Sequence, residues 1–422
     1  MRPLRNLRDV VDWGLCIGCG ACAALCDKPG TTEMVHHERT GYRPDFSKSD
    51  CGSCTACLAF CPGAGVNADT VARHRPRRTF ADHEFGPVLE IWEGHATDPE
   101  VRFRGSSGGA LTALAAYMLE RRGADFILHT EMDPDRPTRN RTCRSRSREE
   151  LVRRAGSRYA ASSPCDGLGW IEDAERPAVF IGKPCDAAAV QEARKSNSAL
   201  DEHLGLVLTF FCAGTPSERG SLDLVESMGV PVQDVRSLRY RGDGWPGRFT
   251  IATDSEPIAA SMSYQESWGR LTGYRSLRCH LCVDGLGRMG DISCGDGWHE
   301  YGGEESKGRD GQVNNGWSLL LVNTVRGREI LSGAIEAGYL TVQRTSDRAV
   351  FDAQPLIERR RVAVGRMLAL SALGAPVPRY RGFSLLRGFW HLSLDKKLRS
   401  MFGTLRRALR RGWYRRREGR RA

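Results

Sequence analysis

CIGCGACAALC at residues 16–26 and CGSCTACLAFC at residues 51–61 decide how the front of this chain folds. Both runs read C-x2-C-x2-C-x3-C, and Pro62 follows the second. Three thiolates at this spacing lie on one tight loop and hold three corners of an iron–sulfur cubane, while the fourth cysteine faces the opposite cluster. The predicted ligand sets are Cys16, Cys19 and Cys22 with Cys61, and Cys51, Cys54 and Cys57 with Cys26. Glycine and alanine between the ligands keep bulk away and let backbone N–H groups point at the sulfides. Paired zinc sites are the competing reading, but zinc takes two C-x2-4-C pairs at a longer separation.

The rest of the chain is organised differently. At 422 residues it should hold two or three domains. Its composition, 40% hydrophobic and 27% charged, is that of a globular protein. No stretch approaches the ~18 uncharged apolar residues of a membrane span, and MRPLRNLRDVVDWGLC lacks a signal-peptide core, which predicts a cytoplasmic protein. Fifteen cysteines in a reducing compartment read as metal ligands rather than disulfides. The net charge of +11 is local: residues 376–422 carry fifteen Arg or Lys against Asp395 and Glu418, so the other 375 residues are close to neutral.

Three zones follow. Residues 1–75 are cysteine-rich with little apolar periodicity, and RHRPRRTF (73–80) reads as a linker. Residues 76–375 alternate β-branched runs with helical patterns, which predicts an α/β body. AVFIGKP (178–184), LGLVLTFFC (204–212) and WSLLLVNT (317–324) read as buried strands. ALTALAAYMLERRG (110–123) has helical spacing, with Gly123 as its C-cap, and ADFILHT follows as another strand. Residues 376–422 form a basic amphipathic tail.

The paired cysteine runs resemble the bacterial two-cluster ferredoxins, with Asp27 where that family usually has proline. Further on, six stretches in order resemble the beta subunits of coenzyme F420 hydrogenases and dehydrogenases. They are RGSSGGALTALAAYMLERRGAD (104–125), GKPCDAAA (182–189), FFCAGTPS (210–217), SLRYRGDGWPGRF (237–249), RSLRCHLCVDGLGRMGDISCGD (275–296) and NNGWSLLLVNTVRG (314–327). The resemblance implies an FAD-binding α/β (α+β) body preceded by a small ferredoxin-like 2[4Fe–4S] domain. It also implies a third [4Fe–4S] cluster on Cys185, Cys212, Cys279 and Cys282, with Cys294 competing as fourth ligand and a buried strand-end residue as the other reading of Cys212.

A pyrophosphate needs backbone N–H donors and a helix N-terminus. Arg104, Gly105, Ser106, Ser107, Gly108 and Gly109, leading into the 110–122 helix, supply glycines, serines and a positive charge. Lys183, followed by Pro184 at a strand end, is a candidate for stabilising negative charge at a reduced flavin; a solvated surface lysine is the other reading. His280, Asp291, Asp296 and His299 cluster near the C-x2-C segment, with His280 and Asp291 as candidates for proton transfer. Arg239, Arg241, Trp245 and Arg248 suit an anionic aromatic substrate. Gly285, Gly287 and Gly290 spell G-x-G-x-x-G without the flanking strand and helix that a dinucleotide site needs.

In the tail, Leu385, Leu386, Phe389, Leu392, Leu394, Leu398, Met401, Phe402, Leu405 and Leu409 recur at helical spacing among arginines. Such a helix suits an anionic membrane surface at the inner face or an acidic protein; covering the body's apolar flank is the alternative. Nucleic acid ranks behind these, since no binding module accompanies the charge. The functional expectation is an iron–sulfur flavoprotein oxidoreductase. It would pass electrons between ferredoxin-type clusters and FAD, with ferredoxin or coenzyme F420 as redox partner and an organic two-electron substrate. The alternatives are a non-catalytic subunit relaying electrons to a partner enzyme and a colourless zinc-bearing nucleic-acid binder.

Overall fold

The computed structural model describes residues 2–26, 28, 30, 32–48, 51, 53–71, 79–298 and 316–416. Asp27, His299 and most of the 73–80 segment lie outside the described residues. Between the two cysteine runs the chain forms a hairpin of β1 (Glu33–His37) and β2 (Gly41–Asp45), and the short β3 (Gly65–Asn67) follows the second run. In the body come β4 (Glu90–Ala96), β5 (Ile127–Met132), β6 (Asn140–Ser145), β7 (Ala178–Gly182) and β8 (Leu204–Phe210). A separate three-stranded sheet holds β9 (Ser237–Arg239), β10 (Arg248–Ala252) and β11 (Ala260–Ser263). Then follow β12 (Ile292–Asp296), β13 (Ser318–Val322), β14 (Leu340–Arg344) and β15 (Arg379–Arg381).

The main sheet has eight strands in the order β14-β4-β13-β12-β8-β7-β5-β6. Its centre, β12-β8-β7-β5, is parallel, and antiparallel strands flank it on both sides. Parallel strands are covered on both faces and therefore read as continuous apolar runs. That is why AVFIG and LGLVLTF are legible as the buried strands β7 and β8, while SLLLV is β13, antiparallel to both neighbours yet buried at every position. On one face the Ala110–Arg121 and Val325–Glu336 helices bury Leu114, Met118, Ile330 and Leu331 against Ile127, Val179, Leu206 and Leu320. On the other face the Pro184–Ala193 helix packs Ala187, Val190 and Ala193 against Phe126, Phe180 and Val207. Each fully buried Leu, Ile or Phe contributes about 1.5–3 kcal/mol. The Ala110–Arg121 helix stops as its sequence suggests, with Gly123 at φ +67° just past the end.

The cysteine-rich front is fastened to both the body and the tail. Leu7, Val10, Trp13 and Leu15 share one apolar cluster with Leu370, Val377, Ala408 and Trp413. β15 pairs in parallel with β3, Arg379 opposite Gly65. On the body side, Cys165 N donates to Cys19 O at 2.8 Å. Gly20, beside it, has φ +95°, and a Cβ there would stand 2.5 Å from Ser163 Oγ and 2.6 Å from Asp166 N. Only glycine lets this cysteine loop lie so close to the 163–166 segment.

Candidate functional site

The four parallel strands end on one side of the sheet, and a cavity of about 580 Å³ opens there. Ligands in open α/β sheets bind outside the carboxyl ends of the strands, where the strand ends leave a crevice. Residues from the ends of β7, β8 and β12 line the cavity: Lys183, Cys212 and Asp296 among them. Its roof is the 105–109 loop and the start of the Ala110–Arg121 helix. That helix opens from Gly109 at φ +73° with no side-chain cap, and a Cβ on Gly109 would stand 2.5 Å from Val101 O. The geometry leaves backbone rather than side chain facing the crevice at the positive end of the helix.

Within the expected glycine–serine stretch the structure separates roles. Ser106, Ser107 and Gly109 line the cavity. Ser107 Oγ donates to Gly295 O at 3.0 Å and Gly108 N to Ser318 Oγ at 2.9 Å, so these two residues stitch the loop to the sheet. Ser106 Oγ accepts from Ser157 N. Arg104 is turned away: its guanidinium pairs with Asp243 Oδ1 at 3.0 Å, which corrects the expectation that it charges this crevice.

Lys183 is buried, not a solvated surface lysine. Its Nζ donates to Ser162 Oγ at 2.7 Å and lies 2.7 Å from Asp186 Oδ2, while Asp186 also accepts from Lys183 N at 3.0 Å. Burial disfavours the ammonium, but the neighbouring Asp186 and the Cys185 thiol outweigh it and leave the pKa raised. Asp186 Oδ1 is buried with no hydrogen-bond partner in the structure, an acceptor left for something in the crevice. Pro184 occupies the first turn of the helix that follows and does not reach the cavity wall.

The body cysteines form one neighbourhood. Burial, then Asp186, and then Cys212 and Cys282 act to hold the Cys185 thiol well above its usual range, against the opposing pull of Lys183. Burial, then Cys279 and Cys282, push Cys212 up to about 12. Thr215 N donates to Cys279 Sγ at 3.5 Å, which ties the C-x2-C segment to the strand end carrying Cys212. Cys294 also lines the cavity, but burial alone accounts for its rise to about 12, with no thiol acting on it. Cys212 thus lies within electrostatic reach of Cys279 and Cys282, and Cys185 within reach of Cys212 and Cys282.

At the front, Cys16, Cys19, Cys22 and Cys61 line one small apolar cavity together with Leu7, Ile17 and Met34. Burial, then Cys19, Cys16, Cys61 and Cys57, raise Cys22 well above the normal thiol range. Three cysteines of the first run and the last of the second thus line one cavity. In the other set, Cys51 Sγ lies 3.7 Å from Thr32 Oγ1 and Cys54 is exposed. Among the described residues no three His, Cys, Asp or Glu side chains converge on a single ion. A cubane binds each thiolate to a different iron, so its four sulfurs stand farther apart than four ligands of one zinc.

Two links join the neighbourhoods. Arg278, next to Cys279 and 2% exposed, donates through Nε and Nη2 to Pro62 O at 3.1 and 2.7 Å, immediately after Cys61. Cys165, fully buried, donates its N–H to Cys19 O at 2.8 Å and has its Sγ 3.7 Å from Asp186 O. Sequence alone gave Cys165 no partner. The isolated PCDG turn holds no motif, and only the docking of Gly20 reveals the contact.

Other expected residues lie elsewhere. His280 packs against Trp413, ring centroids 5.2 Å apart, behind the cysteine segment. Burial, then Arg275, Arg366, Arg407 and Arg411, lower its pKa to about 3. Asp291 accepts from Val207 N at 2.8 Å and Thr324 Oγ1 at 2.6 Å, locking the start of β12. Neither touches the cavity, so their proton-transfer roles are corrected: one is walled off by arginines and the other has both carboxylate oxygens engaged. Asp296 accepts from Arg241 Nη1 and Nη2, each at 2.8 Å, and from Trp245 Nε1 at 3.0 Å. Arg241 is thereby neutralised inside the wall, Arg239 pairs with Asp243, and Arg248 donates to Ser261 Oγ, so this stretch is not a free anion clamp. The aromatic wall that sequence did not foresee is Tyr159, Tyr264, Trp268 and Trp298, with the Arg241 guanidinium 4.4 Å from the Tyr264 ring centroid. Gly285, Gly287 and Gly290 form a loop folded around Asp284 Oδ1, which accepts from Gly287 N and Arg288 N.

A crevice at the carboxyl ends of a parallel sheet, roofed by a glycine loop and with Cys212 in its wall, is the ligand-binding arrangement of an open α/β protein. Comparison with known families makes this specific: the models for the coenzyme F420 hydrogenase/dehydrogenase beta subunit match at residues 91–168 for the N-terminal part and 176–348 for the C terminus. The chain belongs to that family. The F420-dependent formate dehydrogenase subunit beta of Methanocaldococcus jannaschii is 27% identical over 256 residues, 60% of this chain and 62% of that protein. The coenzyme F420 hydrogenase subunit beta of Methanosarcina barkeri is 24% identical over 270 residues, 61% of this chain and 82% of that protein. The chain thus spans about three-fifths of the length of the first of these relatives. A chain from the F420-reducing [NiFe] hydrogenase complex of Methanosarcina barkeri has the same fold, with a TM-score of 0.51 and 21% identity over 69% of this chain and 96% of that one. Both cysteine runs at the front lie outside the matched family residues. No helix among the described residues is long and apolar enough to cross a membrane.

Proposed function

We propose that this chain is an iron–sulfur flavoprotein oxidoreductase linked to coenzyme F420 or a similar organic two-electron partner. The observation that carries the reading is the juxtaposition of two thiol groupings with one crevice. Cys16, Cys19, Cys22 and Cys61 meet at the front, while Cys185, Cys279 and Cys282 neighbour Cys212, which lines the cavity. Each grouping would hold a [4Fe–4S] cluster, and Cys26, Cys51, Cys54 and Cys57 a further one.

The crevice fits FAD: backbone at Gly105 and Gly109 for the pyrophosphate, aromatic rings for a flat partner, and buried Lys183 for developing negative charge. When bound, FAD supplies the exchange of a hydride on one side for single electrons on the other. The chain's own residues orient and insulate. Asp186 fixes Lys183 at the cavity wall, and Ser162 accepts a second hydrogen bond from its ammonium. Arg278 holds the C-x2-C segment against the front, so the groupings stay in register. Relatives named as subunits of F420-dependent enzymes favour action within a complex, with ferredoxin or a catalytic subunit as the one-electron partner.

The test is anaerobic. Cys279→Ser/Cys282→Ser should remove about four irons per chain and stop F420H2 from bleaching the front clusters while flavin stays bound. Unchanged iron in that variant would refute the third cluster. Full iron with no flavin in the wild type would refute the assignment of the crevice.

A further inference from the structure

The Leu394–Arg411 helix packs with its small residues inward. Ser400, Thr404 and Ala408 are buried on the side facing the Ala363–Ala372 helix. Its large apolar residues point out: Leu394 is 70% exposed, Phe402 63% and Leu409 58%, with Leu398 between them. Leu394, Leu398 and Phe402 follow at four-residue intervals and Leu409 returns to the same side, so they form one stripe. The preceding Leu385–Trp390 helix adds Leu386 and Trp390, 76% and 79% exposed, and Lys397 Nζ lies 5.3 Å from the centroid of the Trp390 ring. This is the reverse of a helix that covers a body's flank. The residues able to fill a core face away from it.

Charge borders the stripe. Arg399, Arg406 and Arg410 lie along its edge and are exposed, as is Arg387 on the shorter helix. Asp395 is the single acidic residue in the described part of the tail. We propose that these two helices lie flat on an anionic lipid bilayer, with Leu386, Trp390, Leu394, Leu398, Phe402 and Leu409 in the acyl boundary and the arginines among lipid phosphates. A helix with an apolar stripe and a basic polar face is built to lie in the interfacial plane. A second copy of this chain fits poorly, because docking the two stripes would bring both sets of arginines together. The body offers no compensating net negative charge, being close to neutral outside the tail. This inference is independent of the redox assignment, since it concerns a surface that carries none of the grouped cysteines.

The experiment is flotation of the full-length protein with phosphatidylcholine vesicles and with vesicles that also contain phosphatidylglycerol. Binding is expected to be about tenfold or more stronger to the anionic vesicles and to fall with salt. Both Leu398→Gln/Phe402→Gln/Leu409→Gln and Arg406→Gln/Arg410→Gln should lower it by a similar factor, and these exposed positions leave the fold intact. Brominated lipid should quench tryptophan emission in the wild type, and Trp390→Phe should remove most of that quenching. Equal binding to neutral and anionic vesicles, or none to either, would overturn the proposal. So would light scattering showing a dimer that the leucine–phenylalanine variant dissolves, or absence of quenching at Trp390.

Discussion

Asp296→Asn should destabilise the protein far more than a surface change, and the structure sets the size. The Asp296 carboxylate takes two hydrogen bonds from the Arg241 guanidinium, whose side chain is 3% exposed. Once the charge is removed, Arg241 keeps Pro246 O at 2.8 Å, one neutral amide oxygen in place of two carboxylate oxygens, and the faces of Tyr264 and Trp298. Breaking a buried ion pair by removing one partner costs about 3–5 kcal/mol, because the other charge stays buried without compensation. At about 2.1 cal/mol/K of unfolding entropy per residue, a chain of this length unfolding as one unit loses about 3–6 °C in Tm. Arg241→Met/Asp296→Asn should recover most of that loss, since it takes both charges out of the wall. The assay is thermal unfolding of anaerobically prepared protein followed by circular dichroism. A single variant that melts with the wild type, or a double variant that melts lower than the single, would refute the claim that Arg241 is neutralised within the wall.

Gly20→Ala should cost about 1–3 kcal/mol through its left-handed φ and the clash at Ser163 Oγ. It should also open the front to protease before the body is cut, and identical digestion rates would refute the docking contact. His129 borders the cavity and is held at about 4 by burial, so it stays neutral in the fold where an unfolded histidine near 6.5 takes a proton. Stability is therefore complete above pH 6.5 and falls as pH drops towards 4, by up to about 3 kcal/mol. His129→Asn, which can still hydrogen-bond Ser145, should flatten that stretch in denaturation curves measured at several pH values. An unchanged slope would show that His129 is not the titrating group.

Much of the fold was legible because its central strands are apolar on both faces. Residues 178–182, 204–210 and 318–322 announce themselves in any window, and the 110–121 helix carries its own stop signal at Gly123. The first thiol grouping was legible for the same local reason, as the spacing of Cys16, Cys19 and Cys22 is a loop geometry written into the chain. What sequence could not supply were contacts made by close approach of distant segments. Cys165 meets Cys19 only because Gly20 permits it, and Arg241 is spent on Asp296, 55 positions away. His280 and Asp291 looked reactive because they stand near cysteines along the chain. In space, arginines close off one of them and backbone and hydroxyl donors occupy the other. The tail reads as amphipathic in sequence, but which side faces the body depends on Ser400, Thr404 and Ala408 fitting against a neighbouring helix.

The most direct measurement of the central claim is iron, acid-labile sulfide and flavin counted per chain after purification without oxygen. The account predicts about twelve irons, about twelve sulfides and one FAD, in a brown protein. A pale preparation holding zinc, or one with neither iron nor flavin, would contradict it.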